Sequence, residues 1–87
     1  MHLVNDRVFV RQYKKLSRVL REKVGQRLQL LGKVEFDPFL NNHKLHAPYE
    51  GYRSINITGD YRLIYKRIGV NMFYMRAVGT HHQLFGT

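Results

Sequence analysis

Cysteine is absent from this chain of 87 residues, proline occurs only twice, and acidic residues number six. The missing thiols exclude a disulfide scaffold, thiolate zinc sites and cysteine nucleophiles. So few carboxylates leave little with which to hold catalytic magnesium. No apolar run is long enough to span a membrane, and the first residues, MHLVNDRVF, carry no signal-peptide pattern, so a cytoplasmic setting is expected. Glycine-rich phosphate loops and the G-x-S-x-G elbow are also missing. There is no internal repeat, low-complexity tract or linker.

What is present is positive charge. Lys and Arg total 15 against six acids, a formal charge of +9, so the expected partner is a polyanion or an acidic protein. Apolar residues make up 44%, too many for a disordered basic tail. A chain this short buries roughly 60–65% of its unfolded surface around one small core. The expectation is a single domain, residues 1–87.

The periodicity divides the chain in two. Residues 2–4 suit a short strand, and Asn5 or Asp6 can cap a following helix. Phe9, Tyr13 and Leu16 then share a helical face. Ser17 can cap a second helix, about 18–32, with the stripe Leu20, Val24, Leu28 and Leu31 and a stop at Gly32. Residues 34–50 read as irregular. From Gly51 the period becomes two: strands are expected at 52–57, 61–67 and 70–78, with turns at Thr58-Gly59-Asp60 and Ile68-Gly69. The predicted class is α+β, in the order β-α-α-β-β-β. Two N-terminal helices pack on one face of a small antiparallel sheet and leave the other face partly open.

Nine of the fifteen cations lie between Arg7 and Lys33, with Glu22 the only acid among them. Such a run can be a solvated face, or a surface that contacts phosphates. A second group, Arg53, Arg62, Lys66, Arg67 and Arg76, alternates with Tyr52, Tyr61, Tyr65, Phe73 and Tyr74. Cations beside rings suit unpaired RNA, although strand alternation must turn about half of those rings into the core.

Four of the five histidines fall in two places, His43 with His46 and His81 with His82. They lack a recognised zinc-ligand spacing, so no metal and no cofactor is expected. An imidazole, with a reference pKa of ~6.5, suits proton transfer in both directions. RNA can be cut without a metal, because its own 2′-hydroxyl is the nucleophile. A protein must then supply a base, positive charge and an acid.

Residues 43–86 carry a resemblance: HKLH, then EGYRSI, then GDYRLIYK, then VGTHHQLFG. This series is similar to the RelE superfamily of bacterial type II toxins, and most similar to its YafQ branch. The N-terminal helices match in pattern only. The resemblance implies a ribosome-dependent endoribonuclease that cuts mRNA in the A site and stops translation. It further implies a cognate antitoxin that neutralises it, with promoter DNA contacted only through the antitoxin complex. His81 matches the family's terminal histidine, the general acid. His43 and Asp60 match the two candidates for general base; His43 is favoured, because an exposed carboxyl group ionises near ~3.9 and is a weak base. Arg62 matches an arginine that binds phosphate. Phe85 and Tyr61 match aromatic positions that stack on or position the substrate, and Arg53 and Lys44 can add charge. Two departures stand out. The family's further histidine is here Asn56, which can hydrogen-bond but not transfer a proton. Its arginine four residues before the terminal histidine is here Ala77. Arg76 is adjacent, but strand neighbours face opposite sides. His46 and His82 match no functional position.

Two other readings share the fold or the charge. One is a non-catalytic relative acting on DNA gyrase in the manner of ParE. The other is a plain RNA- or ribosome-binding module. The set His43, Asp60, Arg62 and His81 argues for the nuclease, since a binding surface needs no such set.

Overall fold

The structure is a computed structural model that describes residues 1–86; the expected domain span ends at Thr87, outside the described residues. Strand β1 (His2–Asn5) leads into helix α1 (Arg7–Lys14) through Asp6, whose Oδ1 accepts from the Val8 amide at 2.8 Å. Ser17 caps helix α2 (Arg18–Lys33) by accepting from the Leu20 amide at 3.2 Å. An eight-residue helix such as α1 is too short to persist alone in water. It is held by its apolar face: Phe9 from α1 and Val24, Leu28 and Leu31 from α2 are buried against the sheet. Each such side chain contributes about 1.5–3 kcal/mol of burial.

After α2 come a 3-10 turn (Pro38–Leu40), a two-residue strand β2 (His43–Lys44), β3 (Arg53–Asn56), β4 (Tyr61–Gly69), β5 (Met72–Thr80) and a terminal helix α3 (His81–Phe85). The five strands form one sheet in the order β1-β5-β4-β3-β2. Successive pairs from β2 to β5 are antiparallel, whereas β1 lies parallel to β5. The sheet is therefore mixed rather than wholly antiparallel. The α1–α2 excursion and the hairpins bring β5 alongside β1 in the same direction. Among the described residues no helix is long and apolar enough to cross a membrane.

Three local expectations differ from the structure. Helix α2 does not stop at Gly32. It runs to Lys33, and a Cβ on residue 32 would stand 3.0 Å from the Met1 sulfur, so Gly32 serves a close approach instead. The last hairpin turns at residues 70–71 rather than at Ile68-Gly69, and β4 is longer than expected. Residues 81–85 are helical, where no helix was expected.

Alternation sorts the sheet into two faces. Ile55, Ile57, Leu63, Tyr65, Phe73, Met75 and Val78 join the helices in the main core. Ile64, Ala77 and Leu84 form a smaller cluster on the other face, covered by Leu45, Tyr49, Tyr52 and Phe85. The face expected to be open is thus roofed at one end by α3 and the 45–52 segment.

One irregularity changes which residues share a face. Ile64 pairs with Ala77 but Tyr65 pairs with Met75, so Arg76 is an extra residue, a β-bulge. The rule that Arg76 must oppose Ala77 fails here. The Arg76 guanidinium lies 5.8 Å from the Tyr49 ring, and Tyr49 packs on the cluster that contains Ala77.

Candidate active site

The second face carries a cleft of about 330 Å³. Its lining includes His43, Lys44, His46, Ser54, Arg62, His81 and Phe85. The two groups on which a metal-free RNA cleavage depends, an imidazole near the carboxy end and a guanidinium on the middle of the sheet, therefore meet in one cavity.

Register explains the convergence. His43 pairs with Ser54, Ser54 with Ile64, and Ile64 with Ala77, forming one row across four strands. Asn56, Arg62 and Gly79 form the next row, about 6.8 Å further along the strands. The polar residues of SIN in β3 alternate with Ile55, which faces the helices, so Ser54 and Asn56 take the cleft side. Ser54 is fully buried, and among the described residues its Oγ has no hydrogen-bond partner; nor has Asn56 Oδ1.

His81 is the first residue of α3, whose start is rigidly built. Thr80 Oγ1 accepts from the Gln83 amide at 3.1 Å, and Gln83 Oε1 accepts from the Thr80 amide at 2.9 Å, a capping box. The His81 amide donates to the Asp60 carbonyl at 3.0 Å, tying α3 to the β3–β4 turn. Gly79 permits the tight approach: a Cβ there would lie 2.8 Å from Gln83 Oε1. Phe85, one turn on, places its ring centroid 4.8 Å from that of His81, and Tyr49 meets Phe85 edge-on at 5.9 Å. Gly86 ends the helix with a left-handed φ of 76°.

Arg62 is anchored by one nitrogen. Its Nη1 donates to the carbonyls of Thr58 and Gly59 at 3.1 Å and of Tyr61 at 3.2 Å. No hydrogen bond within the described residues engages its Nε or Nη2. His43 Nδ1 lies 3.0 Å from the Asn41 carbonyl, and Asn41 holds a left-handed φ of 47°. A carbonyl can only accept, so Nδ1 is the donor in this contact, and in the neutral imidazole Nε2 is then the ring's acceptor.

Of the other expected site residues, Asp60, Tyr61, Arg53 and Asn56 are not part of the cleft lining. Asp60 is exposed and does not line the cleft; what it gives the site is its backbone carbonyl. Tyr61 alternates with Leu63 and Tyr65, so its ring packs on the main core, on the opposite face. Arg53 shares the face of Ile55; its Nε donates to Asn42 Oδ1 at 2.7 Å, and its guanidinium lies 5.0 Å from the Phe36 ring. Lys44 lines the cleft and also a neighbouring groove of about 490 Å³ that reaches Arg53, Tyr52 and Lys66. Sequence reasoning missed His46 and Ser54. The three-residue spacing of His43 and His46 was the available signal for the first, and the alternation of SIN for the second. Among the described residues no three His, Asp or Glu side chains are grouped to hold a metal ion.

Comparison with known proteins agrees with this architecture. The chain is similar to the crystal structure of YafQ from E. coli strain BL21(DE3), with 23% identity over 97% of both chains and a TM-score of 0.82. The toxin in the E. coli DinJ-YafQ toxin-antitoxin complex is similar at 23% identity, over 97% of this chain and 96% of that one, with a TM-score of 0.80. A YoeB/ParE toxin from Agrobacterium tumefaciens is similar at 20% identity, over 93% of this chain and 99% of that one, with a TM-score of 0.76. No curated protein sequence matches. The sequence pattern of the family described as "Bacterial toxin of type II toxin-antitoxin system, YafQ" matches residues 1–86. With the family's pattern matched over residues 1–86 and the fold in agreement, the chain belongs to the YafQ family of toxins of type II toxin-antitoxin systems.

Proposed function

We propose that this toxin is a metal-independent endoribonuclease that cuts mRNA in the ribosomal A site and so inhibits translation in the bacterial cytoplasm. The observation that carries the reading is the meeting of His43, Arg62 and His81 in one cleft.

The chemistry is transesterification. His43 Nε2 takes the proton of the 2′-hydroxyl, and the freed oxygen attacks the adjacent phosphorus. A bond from the 2′-oxygen to phosphorus forms as the bond to the 5′-oxygen breaks, giving a 2′,3′-cyclic phosphate. His81 gives its proton to the leaving 5′-oxygen. Arg62, anchored through Nη1, offers Nε and Nη2 as paired donors to the phosphate oxygens as charge grows there. Lys44 adds charge from the rim, and Ser54 supplies a polar atom to the lining. Base stacking falls to Phe85, since Tyr61 packs elsewhere. Asp60 acts through its carbonyl on His81, so the base role goes to His43. Positioned acids and bases each contribute about 10²–10⁴-fold.

The partners that fit are the ribosome with its mRNA and a cognate antitoxin. The charge of +9 suits both ribosomal RNA and an acidic antitoxin. The antitoxin complex, rather than the toxin alone, contacts promoter DNA.

The test is a reconstituted translation reaction with mRNA 5′ ends mapped. A-site cuts that vanish with His81→Ala support the proposal. Arrest with uncut mRNA points to a ribosome-binding module, and DNA breaks with intact mRNA to a ParE-like action on gyrase.

A further inference from the structure

One buried polar group on the helix side of the sheet has no part in the chemistry above. Tyr65 is fully buried in the main core, yet its hydroxyl is doubly engaged. It donates to Glu35 Oε2 at 2.7 Å and accepts from Asn42 Nδ2 at 2.7 Å. The Asn42 amide is fully used, since Nδ2 also donates to the Glu35 carbonyl at 3.0 Å and Oδ1 accepts from Arg53 Nε at 2.7 Å. Glu35 Oε1 is held in turn by Arg67 at 2.6 Å.

Asn42 stands between the two residues that define the base. Asn41 precedes it, in the left-handed region, and its carbonyl holds His43 Nδ1. His43 follows it. A non-glycine residue at positive φ is uncommon; asparagine adopts it more readily than most, so the bend at Asn41 is available to the chain but needs its surroundings to hold it. Strand β2 supplies little of that, because it is two residues long and sits at the sheet edge.

We infer that Tyr65, Asn42 and Glu35 form a latch that positions His43, fixing the backbone bend at Asn41 and with it the tautomer of the imidazole. The idea rests on the proposed nuclease reading for its meaning in catalysis, but the hold on His43 is a property of the folded chain alone. These are positioning residues, since none of them lines the cleft. Burial, with the Glu35 carboxylate adding to it, pushes the Tyr65 hydroxyl well above the ordinary tyrosine range, so it remains a donor throughout the working pH.

The experiment uses nitrogen-15 NMR of the His43 ring in the full chain, with cleavage kinetics on programmed ribosomes alongside. In the unmodified protein the hydrogen sits on Nδ1. In Tyr65→Phe, which keeps the ring and removes the hydroxyl, the ring becomes a mixture of tautomers. The cleavage kcat falls roughly tenfold while KM stays within about twofold. Asn42→Ser, in an edge segment outside the core, does the same and stands in should Tyr65→Phe fail to fold. Glu35→Ala shifts the tautomer, whereas Glu35→Gln, which retains an acceptor, keeps it on Nδ1. If Tyr65→Phe and Asn42→Ser retain a pure Nδ1–H tautomer and the full kcat, with only the melting temperature lowered, the latch is merely structural and the inference is overturned. If the unmodified protein cuts no RNA, the nuclease reading falls, and the NMR result still decides whether the latch holds His43.

Discussion

The backbone N–H of His81 donates to the carbonyl oxygen of Asp60 across 3.0 Å. The aspartate of the hairpin turn therefore supports His81 through an atom that every amino acid possesses. Its carboxylate is exposed and lies outside the cleft.

It follows that Asp60→Asn should keep cleavage within about threefold of the unmodified protein, whereas His43→Ala should lose about 10²–10⁴-fold. Mapped cleavage rates on programmed ribosomes check both. A loss with Asp60→Asn as large as that with His43→Ala would return the base role to the carboxylate.

Gly79→Ala places a methyl 2.8 Å from Gln83 Oε1. Gln83 is flexible and can swing away, but it then abandons the Thr80 amide and opens the capping box. The expected cost is about 1 kcal/mol in urea unfolding. A larger proportional fall in cleavage is also expected, because α3 carries both His81 and Phe85. Unchanged unfolding and unchanged rate would show that the box is not what fixes α3.

The pH dependence of stability has two arms. The Tyr65 value is raised in the folded chain, so its contribution is complete below about pH 10 and is lost as pH rises beyond the unfolded value toward the folded one. Unfolding followed from about pH 8 to about pH 11 should show a decline that is shallower in Tyr65→Phe. Tyr74, raised chiefly by its hydrogen bond to Asp6, acts in the same direction. At the acid end the Tyr74 hydroxyl, 2.5 Å from Asp6 Oδ2, and the Val8 amide hold Asp6 below its ordinary value. That contribution is present above the unfolded carboxyl value and disappears as pH falls through the folded one. Tyr74→Phe should weaken the acid arm and leave Tyr65's part of the alkaline arm in place.

The open sheet face holds Lys66, 4.9 Å from the Tyr52 ring and 5.9 Å from that of Tyr74, with Arg76 over Tyr49. If single-stranded RNA crosses this face, Lys66→Ala and Arg76→Ala should each lower the salt dependence of RNA binding by about 0.7 in log–log slope. Fluorescence anisotropy with a short unstructured RNA measures it. Slopes equal to that of the unmodified protein would mean that phosphates do not pass over these cations.

Much of the architecture was legible in the chain because it rests on local periods and caps. The stripe Val24, Leu28, Leu31, the Ser17 cap and the alternation through β3 and β4 are each decided within a few residues. The mixed pairing of β1 with β5 was not, since nothing in four residues says which distant edge they will join. The bulge at Arg76 was hidden as well. It exists only as a mismatch of register between β4 and β5, and it overturned a rule that holds for every regular strand.

The candidate site divides along the same line. Sequence by itself determined the chemistry available: a basic domain without thiols, histidines in two places, and an arginine and an aromatic at spacings that resemble the YafQ toxins. Which of these meet was decided by tertiary structure, because register and strand twist bring together residues far apart in the chain. Register brought His43, Arg62 and His81 to one cleft, admitted His46 and Ser54, and sent Tyr61 to the opposite face. A hydrogen bond to the carbonyl of Asn41, a neighbour in an unusual backbone conformation, then made Nδ1 of His43 a donor, and no pattern of residue types records that.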